Sequence, residues 1–139
     1  MNLSKDMKKL FIDELKFVLQ NMRATDKPME KLYFFSAIHS VANRIFNIEF
    51  HSELVFIHNV FQATYNQIHA NLTTVLQGQG IAIGIPSEVF AGLEIATEEL
   101  IIRISNNQEI CPVLQKISEL GYSTTGNGRY LHFKGVLTI

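Results

Sequence analysis

"SELVFIHNVFQATYNQIHANLTTVLQ", residues 52–77, decides the fold. Leu54, Ile57, Phe61, Tyr65, Ile68, Leu72, Val75 and Leu76 recur at three- and four-residue intervals, so at about 100° per residue they share one apolar arc of an α-helix. "GQG" at 78–80 stops the helix, since glycine ends helices readily. At a rise of about 1.5 Å per residue such a helix is nearly 40 Å long, as long as a compact domain of this size is wide. The expected architecture is therefore mainly α, about five helices around this long central one.

The same stretch lacks charge. Between Glu53 and Glu88 there is no Asp, Glu, Lys or Arg across 34 residues. A second arc of the helix carries Phe56, Asn59, Val60, Ala63, Gln67, Ala70, Asn71 and Thr74. A solvated helix face normally holds Lys or Glu, whereas amides, small residues and an occasional aromatic suit a covered one. The cover is either a second layer of the same chain or a symmetry mate. These eight residues form the expected interface of a homodimer or other homo-oligomer. Asn, Gln and His recur too often for a membrane span.

Three histidines, His51, His58 and His69, lie within about 20° of one another on the same projection. Seven and eleven residues separate them, so a single helix cannot offer two of them to one ion. The HExxH and Glu-x-x-His patterns are absent. A polar site would have to form across helices, from His39, His58, His69 and Tyr65, or with Glu49 joining His58. Without it, these rings sit at the border of the apolar arc and bond to Gln62, Thr73 or a backbone carbonyl.

Working outward, Ser4 caps a first helix whose apolar residues Met7, Leu10, Phe11, Leu15, Val18, Leu19 and Met22 recur at helical spacing, with Lys5, Asp6, Lys9, Asp13 and Lys16 on its other faces. "RATDKP" breaks it, Asp26 offers the next cap, and Pro28 opens a second helix to about Phe46. A fourth helix follows Ser87 and ends at "SNNQ", 105–108. A fifth carries Ile110, Val113, Leu114, Ile117 and Leu120 and stops at Gly121, read as a left-handed C-cap. "YSTTGNGRYLHF", 122–133, reads as a β-hairpin turning at Asn127 and Gly128. Residues 1–139 thus form one domain, with 109–139 a helix-plus-hairpin appendage.

Composition narrows the function classes. The chain has 139 residues, 18% of them charged, and a net charge of −1, so no global field draws it to nucleic acid or an anionic membrane. The single cysteine, Cys111, cannot form an intrachain disulfide, and the polar start "MNLSKDMKK" lacks the apolar run of a signal peptide, so the expected location is cytoplasmic. Cys111 beside Pro112 sits where a helix dipole lowers a thiol pKa, yet no base lies nearby and an inert buried cysteine is expected. "GQGIAIG", 78–84, lacks the Lys-Ser/Thr of a Walker loop and the strand-before, helix-after setting of a dinucleotide fingerprint. No cofactor is called for.

One stretch resembles a known module. "TEELIIRISNNQEICPVLQKISELGYSTTGNGRYLHFKG", 97–135, looks like a winged helix: helix, turn, helix and glycine-tipped hairpin. The resemblance implies DNA contacts through Gln115 and Lys116 in the groove and Arg129 and Lys134 on the phosphates. Residues 87–139 hold four basic side chains against six glutamates, a net of −2 that opposes phosphate binding. The leading expectation is a non-catalytic helical protein acting through self-association or a protein partner. The alternatives are a winged-helix-like DNA-binding protein and an enzyme or metal protein using His58. Titration with duplex DNA at physiological salt should show no sub-micromolar, sequence-dependent binding; such binding, lost on Arg129→Ala, would reverse the order.

Overall fold

The computed structural model describes residues 1–76 (side chains to residue 72), 85–126, 130 and 133–135. Five helices form: α1 (Lys5–Arg23), α2 (Pro28–Phe46), α3 (Ser52–Leu76), α4 (Ser87–Ser105) and α5 (Cys111–Ser123). They close a ring in the order α1, α2, α3, α5, α4 and back to α1. Paired residues give the directions. Phe35 stacks on Phe61 and His39 meets His58 edge to face, so α2 and α3 are antiparallel. Arg23 reaches Glu98 while Lys8 reaches Asn107, so α1 and α4 are antiparallel too. Thr64 meets Ile117 and Asn71 meets Thr124, which makes α3 and α5 parallel.

All five helices send side chains into one core, including Phe11, Phe35, Phe61, Leu15, Met22, Ile38 and Leu93, each essentially without exposure. The α3 contribution is Leu54, Ile57, Phe61, Thr64 and Ile68, the apolar arc expected from the spacing. The helix is not central, however. It is one wall of the ring, because α2 and α5 cover only its two flanks and the core fills the space between, leaving an outer arc in solvent.

The ends of the helices follow local chemistry. The Ser4 hydroxyl accepts from the Met7 amide at 3.4 Å. Asp26 does not cap α2. Lys27 takes that position, and the Thr25 hydroxyl serves the turn by accepting from the Lys27 amide at 3.2 Å and donating to Glu30. Ser87 is the first residue of α4, with Pro86 at the cap. The other end of α4 is a Schellman turn: Gln108 N–H donates to Arg103 O at 2.8 Å, Asn107 N–H donates to Ile104 O at 3.3 Å, and Asn107 takes φ 53°. Asparagine is one of the few side chains that tolerate this left-handed geometry.

Gly121 is not a cap. It lies inside α5, two residues before its end, and fits there because α3 and α5 touch. A Cβ at this position would stand 3.1 Å from Thr64 Cα and 3.2 Å from Thr64 Cγ2, and would collide with Gln67 Oε1. The Thr64 hydroxyl, itself buried, donates to the Ile117 carbonyl at 3.2 Å in the same crossing. Gly92 of α4 makes a similar approach to α5, but its neighbour is the end of the Leu120 side chain, with Cδ2 at 2.7 Å.

Among the described residues there is no strand. Tyr122 and Ser123, expected in a hairpin, form the last turn of α5, whose cap is Thr124. The hairpin tip, Asn127 and Gly128, lies outside the described residues, as do Arg129, His132 and the "GQGIAIG" loop. Of the winged-helix contacts, Gln115 and Lys116 are exposed on α5, and Lys134 places its Nζ 5.4 Å from the centre of the Tyr130 ring.

Gly121→Ala should destabilise the protein by about 1–3 kcal/mol, as overpacking against backbone does, and Gly92→Ala by less, because Leu120 can rotate away. Urea unfolding measures both; equal losses would show that the α3–α5 crossing is no tighter than the rest.

Candidate functional site

The faces of α3 settle what each of its residues can do. Val60 is half-buried against the core. Gln67 faces Gly121, and the Asn71 amide donates to Gln67 O at 2.8 Å and to Thr124 Oγ1 at 3.4 Å. Gln67 and Asn71, both expected at the interface, therefore serve the α3–α5 crossing. Phe56 (54% exposed), Asn59, Ala63 and Ala70 stay on the surface. The side chain of Thr74 lies outside the described residues.

Two residues missed from the sequence belong to the same surface, Gln62 and Asn66, both exposed. Together with Ser52, Phe56, Asn59, Ala63 and Ala70 they occupy an arc of about 120° on the helical projection. The solvent-facing arc is thus turned away from α5 relative to the expected one. It contains no charged side chain over residues 54–72. The signal was present, but choosing the right arc required knowing on which side α5 packs.

The opposite flank, against α2, brings together the rings expected as a cross-helix polar site. His39 and His58 meet edge to face with centroids 5.6 Å apart. Tyr65 lies 6.1 Å from His39, and His69 stacks on Tyr65 at 5.4 Å. His58 Nδ1 lies 3.0 Å from the His39 carbonyl. A carbonyl only accepts, so the proton is on Nδ1, and Nε2 carries a lone pair in the neutral ring. His39 Nδ1 is buried without a hydrogen-bond partner. Burial first, and the neighbouring His58 second, hold the His39 pKa below the usual imidazole value.

Glu49 does not join this group. Its carboxylate accepts from the Ser4 amide at 2.7 Å and sits 3.1 Å from His51 Nε2, and the Ser4 bonds hold its pKa below the usual carboxylate range. Among the described residues no group of three His, Cys, Asp or Glu side chains is placed to hold a metal ion. Cys111 is exposed rather than buried, and its thiol pKa is raised, chiefly by a hydrogen bond to Glu109. The carboxylate outweighs the helix-start effect expected to lower it.

Elsewhere, a groove of about 820 Å³ runs between α4 and α5, floored by Gly92, Ala96 and Val113, with Ile95 (66% exposed) on its rim. Glu99 and Arg103 pair across one turn of α4 at its edge, at 2.7 Å. No described helix is long and apolar enough to cross a membrane. Comparison with protein-family models, with curated proteins and with solved structures found no match.

The burial of His39 sets a pH dependence. A histidine with a lowered folded-state pKa binds its proton more readily when unfolded, so stability falls as pH drops below about 6.5 toward the folded value. Glu49 adds a loss only at lower pH, below the ordinary carboxylate pKa. The urea midpoint should therefore decline between about pH 7 and 5, with a smaller slope in His39→Phe. The same slope in both proteins would remove His39 as the cause.

Proposed function

We propose that the protein is a non-catalytic helical protein that works by associating with itself through the outer arc of α3. The observation that carries this reading is the uncharged, solvent-facing arc at Phe56, Asn59, Gln62, Ala63, Asn66 and Ala70. By contrast, α1 sets Lys5, Lys9, Asp13 and Lys16 on its exposed face, so the same chain solvates an ordinary surface helix with charge. An exposed aromatic among uncharged amides suits a contact surface, where aromatics are enriched and charged side chains are depleted at the centre.

A homo-oligomer of closed symmetry is the commonest form of self-association, and a two-fold pair needs only one such surface. The imidazole and phenol rings beside the arc contribute packing between α2 and α3 in this reading.

Light scattering of the purified chain should give a mass near twice 15.8 kDa. Ala63→Glu should shift it toward the monomer by placing like charges at the contact, with the helical circular dichroism unchanged because Ala63 is exposed. Val60→Glu is a poorer test, since Val60 packs against the core. A monomer at high micromolar concentration would defeat the proposal.

A further inference from the structure

We infer that the cleft between the start of α1 and the end of α4 binds a compact polyphosphate anion, at a site separate from the outer arc of α3. The cleft encloses about 370 Å³ and is lined by Lys5, Lys8, Lys9 and Lys16, with Ile12 and Ser105 between them. Asp13 is the one carboxylate that lines it among the described residues. The four cations form a stripe. On the helical projection they fall within about 100° of one another, over about 16 Å of α1, while Asp6 lies on the flank of the stripe and Glu14 on the far side of the helix. Ordinary partners account for only half of this charge. Half-buried Lys8 donates its ammonium to Asn107 Oδ1 at 3.2 Å, beside the carbonyl end of α4, where a cation is favoured. Lys9 pairs with Asp13. Lys5 and Lys16 are exposed and have no ion-pair partner among the described residues. Like charges three and four residues apart disfavour a helix, and Lys5, Lys8 and Lys9 stand at that spacing, so an anion in the cleft removes a repulsion as well as adding an attraction.

Charge and extent set the chemistry of the occupant. The Ser105 hydroxyl gives its hydrogen to the Ile101 carbonyl at 2.7 Å, so the ammonium groups carry the recognition. Ammonium groups act as point charges with freely turning donors, which suit phosphate oxygens without the fixed fork that a lone carboxylate favours. A single phosphate cannot reach both ends of a 16 Å stripe, whose length exceeds a Debye length at physiological salt, about 8 Å. An extended nucleic acid has the opposite mismatch. It would run beyond the stripe onto the rest of a chain whose net charge is −1, where the excess charge is negative. Linked or clustered phosphates match the stripe in both length and charge. A soluble polyphosphate and a polyphosphorylated lipid headgroup share that chemistry.

Calorimetric titration with sodium tripolyphosphate at physiological salt tests the site. Saturable binding of one anion per chain is expected, with orthophosphate about tenfold weaker because it meets fewer ammonium groups. Lys5→Gln combined with Lys16→Gln should weaken tripolyphosphate about tenfold, with the helical circular dichroism unchanged because both side chains are exposed. Lys27→Gln, at an exposed lysine outside the cleft, should leave the affinity as it was. Phosphatidylcholine vesicles carrying a phosphatidylinositol bisphosphate separate the two sources: retention of the protein that tripolyphosphate reverses assigns the lipid headgroup, and no retention assigns a soluble anion. Absence of saturable tripolyphosphate binding, or an equal loss in Lys27→Gln, would overturn the site. Duplex DNA bound more tightly than tripolyphosphate would overturn the choice of a compact anion.

Discussion

The rest of the structure hangs on the contact between Gly121 and Thr64. It joins α3 and α5, which run parallel, and is one of the contacts that close the ring. A hydroxyl buried at that crossing would carry a desolvation cost without a partner. Thr64 instead donates to the carbonyl of Ile117, one helical turn before the glycine. The absent side chain and the added hydrogen bond are two halves of one solution, since the approach that forbids a Cβ brings the hydroxyl within reach of the carbonyl.

That crossing also determines which residues of α3 are free. With α5 drawn close, Val60, Gln67 and Asn71 are spent inside the chain, and the imidazole flank is spent against α2. The arc between them is exposed at Phe56, Asn59, Gln62, Ala63, Asn66 and Ala70. A charge gap that seemed to describe a helix wrapped on all sides therefore describes a wall with an uncharged exterior. Its composition differs from that of the exposed face of α1, which carries Lys5, Lys9, Asp13 and Lys16.

Much of the fold was legible in the sequence because it depends on period and punctuation. In α1, Phe11, Leu15, Val18, Leu19 and Met22 are buried as the spacing requires, whereas Leu10 of the same apolar set is 42% exposed, and the course of α3 follows from the same three- and four-residue spacing. The "SNNQ" turn follows from asparagine's tolerance of left-handed backbone. What was not legible depends on tertiary proximity. Gly121 carries no local mark that separates a cap from a close crossing, and Thr25 took the turn from Asp26 although both are capping residues. The imidazole group was partly readable: His58 with His39 is a cross-helix pairing that spacing permits but cannot demand. Glu49 was drawn instead to the N-terminal segment through Ser4. Cys111 illustrates a competition between two local effects, in which an adjacent carboxylate overrides the helix start.

The order of helices around the ring bears on how the chain assembles. Contacts between α1 and α2, and between α2 and α3, join consecutive segments through short connections, so their loop-closure entropy is small. The contact between α4 and α1 joins distant ones: Arg23 with Glu98 spans 75 residues, and Lys8 with Asn107 spans 99. The α3–α5 crossing at Thr64 and Ile117 spans 53. Closure entropy must be met before these long-range contacts reward it, whereas the contacts of consecutive helices cost little. The α4 helix rests on α1 and the α5 helix on α3, so the long-range contacts fall at both edges of the array that the first three helices make.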